Sequence, residues 1–197
     1  MKNLFLVFLC WFAPMAHTAP EVTQDTAVAP SFQELVSESG MAFQQPQGFQ
    51  PVAAEVSSLF PHEHALSNAA DTLEIRYAIR PLRRLKVDYQ DPHSSTPDPN
   101  HMFPLMFQSL VTRLSNGGHS PTRTYPADQS EEKFHAHWAA ASVFDLHPEL
   151  NDSFSQGLLV AIHKNHLADA YVLYLFNDYE TVKEEINQTL GALAFLP

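Results

Sequence analysis

Hydrophobic and polar positions follow two distinct patterns in the second half of the chain. Over residues 73–79 apolar and polar side chains alternate, which is the period of a β-strand with one face in the core. Residues 157–162 and 170–176 are almost entirely apolar, which indicates strands covered on both faces. The connection between these two runs is short, so we expect them to pair antiparallel as a hairpin.

Apolar residues at helical spacing predict helices over residues 105–114, 129–144 and 177–193. The last of these begins with a capping-box pattern. Helices that cover both faces of a hairpin-built sheet define a three-layer architecture. The sequence therefore predicts an α+β fold, a three-layer α/β/α sandwich with a central, mainly antiparallel sheet.

The N-terminal residues 1–19 have the pattern of a cleavable signal peptide. Lys2 precedes ten apolar residues, and small residues follow at 16–19. The apolar run is shorter than the ~20 residues that a membrane-spanning helix needs, so we expect an exported protein, periplasmic or secreted, without a transmembrane span. Residues 20–40 are polar and acidic and predict a mobile lead-in with one helical turn near residues 32–36. This leaves 41–197 as a single globular domain.

Composition narrows the classes of partner. The formal net charge is −11, and such an excess of acidic side chains argues against nucleic-acid binding. The single cysteine lies inside the signal peptide, so the exported chain has no thiol for catalysis, a disulfide or a metal site.

Three motifs carry a resemblance to a known family. They are an F-x-x-P-x-G-F segment, a hairpin containing LLVAIH and YVLYLF, and a closing L-x-x-L-x-F segment. The defined positions are Phe43, Pro46, Gly48, Phe49, Leu190, Leu193 and Phe195. Together with the export signal, this combination resembles the PsbP-like and DcrB-like families over residues 41–196.

The resemblance implies an α/β/α sandwich with a central antiparallel sheet. It also implies an accessory, partner-binding or periplasmic role, mostly without catalysis, and it carries over no catalytic residues. The Pro-rich segment between the strand at Leu73 and the helix at Leu105 is not part of the pattern.

A cluster of basic residues in this acidic chain is the first candidate site. The residues are Arg76, Arg80, Arg83, Arg84 and Lys86. Arg76 and Arg80 fall on the polar face of the predicted strand and could form an anion clamp, and Arg83 is a further residue of the predicted site. Asp91 and His93, in the Pro-rich loop that follows, complete the predicted ligand or partner site. The alternative is a solvated face balanced by nearby acidic residues.

Histidines supply the second candidate site. His163, His166 and Asp169 lie around the predicted hairpin turn and could provide three metal ligands. Capping or solvated histidines are the alternative. Asp, His and Ser side chains in the Pro-rich loop are the residue types of a hydrolase, but the chain has neither a G-x-S-x-G elbow nor a Gly-rich phosphate loop.

We therefore predict an exported, monomeric, non-catalytic binding or accessory protein of the cell envelope, whose partner is an envelope protein or a small anion and which needs no cofactor. A small periplasmic metal-binding protein or hydrolase that uses loop histidines is the alternative.

Overall fold

Nine strands and four helices form the regular structure in the computed structural model, which describes residues 30–53, 57–85, 98–117 and 120–197. The strands are β1 (Met41–Phe43), β2 (Phe49–Pro51), β3 (His64–Asn68), β4 (Leu73–Pro81), β5 (Thr122–Thr124), β6 (Trp138–Asp145), β7 (Gln156–Lys164), β8 (Ala168–Phe176) and β9 (Leu193–Phe195). The helices are α1 (Phe32–Glu38), α2 (Pro99–Leu114), α3 (Ala127–Phe134) and α4 (Tyr179–Thr189). A single 3₁₀ turn, Leu82–Arg84, follows β4.

Seven strands build the central sheet in the order β2-β3-β4-β8-β7-β6-β5, and each neighbouring pair is antiparallel. The remaining strands, β1 and β9, pair with each other as a small second sheet. The predicted hairpin is confirmed: β7 pairs with β8 from Gln156 to Lys164, and the turn occupies only residues 165–167. All nine side chains of β8 are buried, as expected for a central strand with both faces covered.

Two separate hydrophobic cores lie on the two faces of the central sheet. One contains apolar side chains of α1, α3, α4 and the β1–β9 pair. The other contains Phe107, Leu110, Val111 and Leu114 of α2. The predicted α+β class and its three layers are therefore confirmed, with α2 as the one helix in the second core.

Small residues let the outer layers approach the sheet closely. Ala78, Ala140 and Ala161 belong to the core shared with α2. Gly157 faces the ring of Phe144, and a Cβ atom added there would lie 2.7 Å from Phe144 Cε2. The sheet accommodates this ring because the glycine has no side chain.

The lead-in predicted over residues 20–40 is folded from residue 31 onward. Ser31 caps α1 through a capping box with Glu34, and Phe32, Leu35 and Val36 of this helix are buried. The predicted helical turn is thus a seven-residue helix in the core. The signal peptide and residues 20–29 lie outside the described residues.

The helix predicted over 129–144 is wrong in its second half. Helix α3 ends at Phe134, because His135 adopts a left-handed conformation with φ 49°. The chain then continues as β6, which pairs with β7 over its whole length. Spacing of aromatic residues alone did not reveal this break.

Two other helix boundaries also differ from the prediction. Helix α2 begins at Pro99, where the Asp98 side chain accepts a hydrogen bond from Asn100 N–H, and Pro104 lies inside the helix. Helix α4 ends at Thr189, so Leu193 belongs to β9. None of the described helices combines the length and hydropathy that a membrane crossing requires.

Candidate functional site

One end of the central sheet gathers several of the predicted site residues. Arg80, Asp169, His163 and Trp138 are neighbours in register across β4, β8, β7 and β6. Because directly opposite residues of antiparallel strands point to the same face, these four side chains form a row on the face covered by α2. We call this row, together with Asn100 and Phe103 from the start of α2, the hairpin end.

His163 lies at the centre of the hairpin end and is fully buried. Its Nδ1 is 2.7 Å from Asp169 Oδ1, and its Nε2 is 2.9 Å from Asn165 Oδ1. The ring of Phe103 stacks on the imidazole with a centroid distance of 4.0 Å. Both ring nitrogens are therefore engaged inside the protein, and the ring faces are covered.

The turn between β7 and β8 is held by side chains from two other elements. His166, with φ 65°, donates its backbone N–H to Asn100 Oδ1 at 2.7 Å. Asn165 donates its backbone N–H to His137 Nδ1 at 3.1 Å. The 3₁₀ turn joins the same corner, since Leu82 N–H donates to Leu167 O at 2.9 Å. These bonds fix the turn in one conformation.

The structure does not bring His163, His166 and Asp169 together as metal ligands. His163 and Asp169 bind each other in the interior, while exposed His166 contacts Asn100. Across the described ranges, no group of three His, Cys, Asp or Glu residues is arranged to hold a metal ion. Of the two histidines, His166 is exposed, as the alternative of capping or solvated histidines expects, whereas His163 is buried and hydrogen-bonded in the interior.

Arg80 makes bonds that hold the segment before β3 against β4. Its Nη1 donates to Glu63 Oε1 at 2.7 Å, and its Nη2 donates to Pro61 O at 2.6 Å. The second oxygen of Glu63 accepts the Ile79 N–H at 3.0 Å, where β3 no longer supplies a partner. This arginine is thus engaged by its own chain.

The pattern places Arg76 on the polar face of its strand, but in the structure this side chain is buried, with 1% of its surface exposed. Its Nε donates to Glu74 Oε1 at 2.5 Å. A strand rises ~3.3 Å per residue, so the Cα atoms of Arg76 and Arg80 are separated by about 13 Å along β4. With this separation and these partners, the two arginines do not form the predicted clamp around one small anion.

Arg83 and Arg84 converge on one carboxylate. Both donate from Nε to Glu38 Oε1, at 2.7 and 2.8 Å, and Arg84 also contacts Oε2. Hydrogen bonds from Arg84 and then Arg83 lower the pKa of the Glu38 carboxyl to about 2. These residues tie α1 to the 3₁₀ turn. Asp91 and His93, the other members of the predicted site, lie outside the described residues.

Exposed apolar side chains on α2 are the feature that the sequence reasoning missed. Leu105 is 63% exposed and Met106 is 44% exposed, although Leu105 is one of the apolar residues at helical spacing that predict this helix. We call these two residues the α2 apolar face. The run FPLMF over residues 103–107 contained a signal, since five successive residues on a helix point in all directions and cannot all face one core.

Helix α2, which carries the α2 apolar face, contains no acidic residue. No Asp or Glu occurs between residues 99 and 126, although the whole chain has 22 acidic residues. Arg113 and Arg123 lie in this stretch. Burial of this surface against a partner therefore requires no carboxylate of α2 to lose its hydration.

The described residues define an α+β sandwich protein. At its hairpin end, the side chains of His163, Asp169 and Arg80 form hydrogen bonds within the chain itself. No family model and no curated protein matches the chain. Among solved structures, the fold is similar to the solution structure of cyanobacterial PsbP (CyanoP) from Synechocystis sp. PCC 6803. The TM-score is 0.46 at 8% sequence identity, covering 81% of this chain and 89% of that chain. At this score the similarity is a weak resemblance to PsbP at the level of the fold alone.

Proposed function

We propose that the chain is an exported, non-catalytic binding or accessory protein of the cell envelope. The observation that carries this proposal is the α2 apolar face, which exposes a leucine and a methionine at consecutive positions of a helix without acidic residues. Isolated exposed leucines are common on soluble proteins, but adjacent large apolar side chains on one helix are typical of a surface that a partner covers.

The polar groups of the hairpin end support binding rather than chemistry. A general base or nucleophile needs a free atom that a substrate can reach. His163 has both nitrogens engaged and no exposed surface, and Arg80 is held by Glu63 and Pro61. In this proposal the hairpin end positions α2, because Asn100 and Phe103 fasten the start of this helix to the β7–β8 turn.

A site-specific photo-crosslinker tests the proposal in the envelope of the source cell. The crosslinker replaces Leu105 in one variant and Glu132, which is exposed on α3 beyond the other face of the sheet, in a matched control. We expect one stoichiometric protein adduct from position 105 and none from position 132. Equal adducts from both positions, or none from either, would contradict the proposal.

The same preparation distinguishes the proposed partner-binding function from its alternative, metal binding. A metal-binding protein would carry stoichiometric metal without a partner, so the metal content of the purified chain is measured beside the crosslinked product. Stoichiometric metal in a chain that yields no adduct at position 105 would favour the alternative.

A further inference from the structure

A cleft lies at the end of the central sheet opposite to the hairpin end. Its volume is about 440 Å³, and it opens between the turn before β2, the turn between β3 and β4, and the last turns of α4. Strand β4 runs nine residues between the two ends, so ~27 Å of sheet separates them. The cleft and the α2 apolar face are therefore independent features.

One carboxylate in the cleft is held in a fixed orientation. Asn68 donates from Nδ2 to Glu185 Oε2 at 2.8 Å. Asn68 is itself locked, since its Oδ1 accepts the N–H groups of Thr72 and Leu73 at 2.9 and 3.2 Å. Glu185 is consequently pre-positioned by the β3–β4 turn rather than left free to rotate.

The electrostatics of the cleft are negative. Among the described residues that line the cleft, Glu185 is the one charged side chain and none is Lys or Arg. The cleft also adjoins the C-terminal end of α4, where the helix dipole places partial negative charge, and the last turn of α4 contains no basic residue to neutralise it. A carboxylate and a helix C-terminus both favour a cation.

The remaining lining residues suit a small organic cation. Gln47 and Gln188 are exposed residues of the lining, whereas the Phe49 side chain is buried in the core. Gly48 adopts φ 85°, and a Cβ atom added there would meet nothing within 4 Å, so this wall of the cleft is open. Amide oxygens accept hydrogen bonds from N–H groups such as those of an ammonium or guanidinium ligand.

We propose that this cleft binds small organic cations with an ammonium or guanidinium group, with the Glu185 carboxylate as their ionic partner and the Gln47 and Gln188 amides as further acceptors. The volume is in the range of small-molecule sites. The half-buried position of Glu185 reduces the screening that makes exposed ion pairs weak.

Titration with agmatine, followed by backbone amide NMR of the isotope-labelled protein, tests this proposal. We expect saturable shifts at Gly48, Ala69 and Ala70, and no shifts with the neutral analogue 1,4-butanediol. The Glu185→Gln variant keeps an oxygen that can accept from Asn68, and it should bind agmatine about tenfold more weakly. The matched Glu184→Gln variant, on the same helix but outside the cleft lining, should bind like the parent protein.

Ala70→Trp supplies a second test that leaves every charge in place. Ala70 is exposed at the wall of the cleft, so an indole there fills the opening without disturbing the core. Agmatine binding should be lost while the melting temperature is retained. The absence of saturable shifts in the parent protein, or equal affinity in the Glu185→Gln and Glu184→Gln variants, would overturn the proposal.

Discussion

At the scale of single residues, buried polar side chains of the hairpin end are matched with partners from neighbouring strands and loops. His163 joins Asp169 and Asn165, and Arg80 joins Glu63 and Pro61. A buried polar group without a partner costs free energy, so such matched groups stabilise one arrangement of the chain. Residue types alone predicted a metal or anion site here, because a sequence does not reveal which side chains already bind one another.

The His163–Asp169 pair should be strongly coupled in stability. His163→Phe leaves the Asp169 carboxylate buried without its partner and should lower the free energy of unfolding by about 3 kcal/mol. Addition of Asp169→Leu should cost less than the sum of the two single changes. Urea unfolding measures all three variants. His101→Phe, at a side chain with 82% exposure, is the matched control and should be near neutral. If the double variant lost as much unfolding free energy as the two single variants together, the two side chains would not stabilise each other.

Two histidines near β3 should make stability depend on pH. Burial lowers the pKa of His62 and of His64, which stacks on Phe32 and contacts Phe43. The unfolded chain then takes up protons at a higher pH than the folded chain. The stability that these neutral rings contribute is therefore fully present above about pH 6.5 and is lost as the pH falls through the lowered pKa values.

Replacement of His64 by Phe tests this origin of the pH dependence. The variant keeps an aromatic ring in the cluster but removes one group that resists protonation. We expect the loss of unfolding free energy between about pH 7 and pH 5 to be smaller in His64→Phe than in the parent protein. An identical pH profile in both proteins would contradict the assignment.

At the scale of elements, strands were easier to predict than the ends of helices. The apolar runs of β7 and β8 are long enough to specify covered, paired strands, and the short link between them specifies a hairpin. The break between α3 and β6 depends instead on the left-handed backbone of His135, and non-glycine residues adopt this conformation only in particular contexts. The burial of Arg76 likewise depends on segments distant in sequence, which no local pattern encodes.

The N-cap of helix α1 tests whether the segment before residue 41 contributes to the stability of the fold. Ser31→Ala removes the side chain that accepts the Glu34 N–H at 3.3 Å, and should lower the free energy of unfolding by about 1 kcal/mol. The matched control is Ser37→Ala at an exposed position within the same helix, where alanine is the better helix former. Thermal or urea unfolding of both variants measures the effect. If the two variants were equally stable, the cap would not hold α1 in the core.

At the scale of the whole molecule, the two ends of the central sheet differ in the surfaces that they expose to solvent. The hairpin end buries its polar groups and fastens α2, which leaves Leu105 and Met106 exposed beside it. The opposite end holds an open, negatively charged cleft. The signal peptide assignment and the partner stay predictions from the sequence, as does the role of Asp91 and His93. The folded part of the chain includes α1, because Phe32, Leu35 and Val36 pack in the core before residue 41.

The most direct test of the proposed function is the affinity of the α2 apolar face for the partner identified by crosslinking. Isothermal titration compares the parent protein with Leu105→Glu and with Leu196→Glu, the same change at a leucine with 52% exposure near the C-terminus. A charge placed in an apolar interface should weaken binding by at least about tenfold in Leu105→Glu, with no change in Leu196→Glu. Equal affinities of Leu105→Glu and the parent protein would contradict the proposal that α2 is the binding surface.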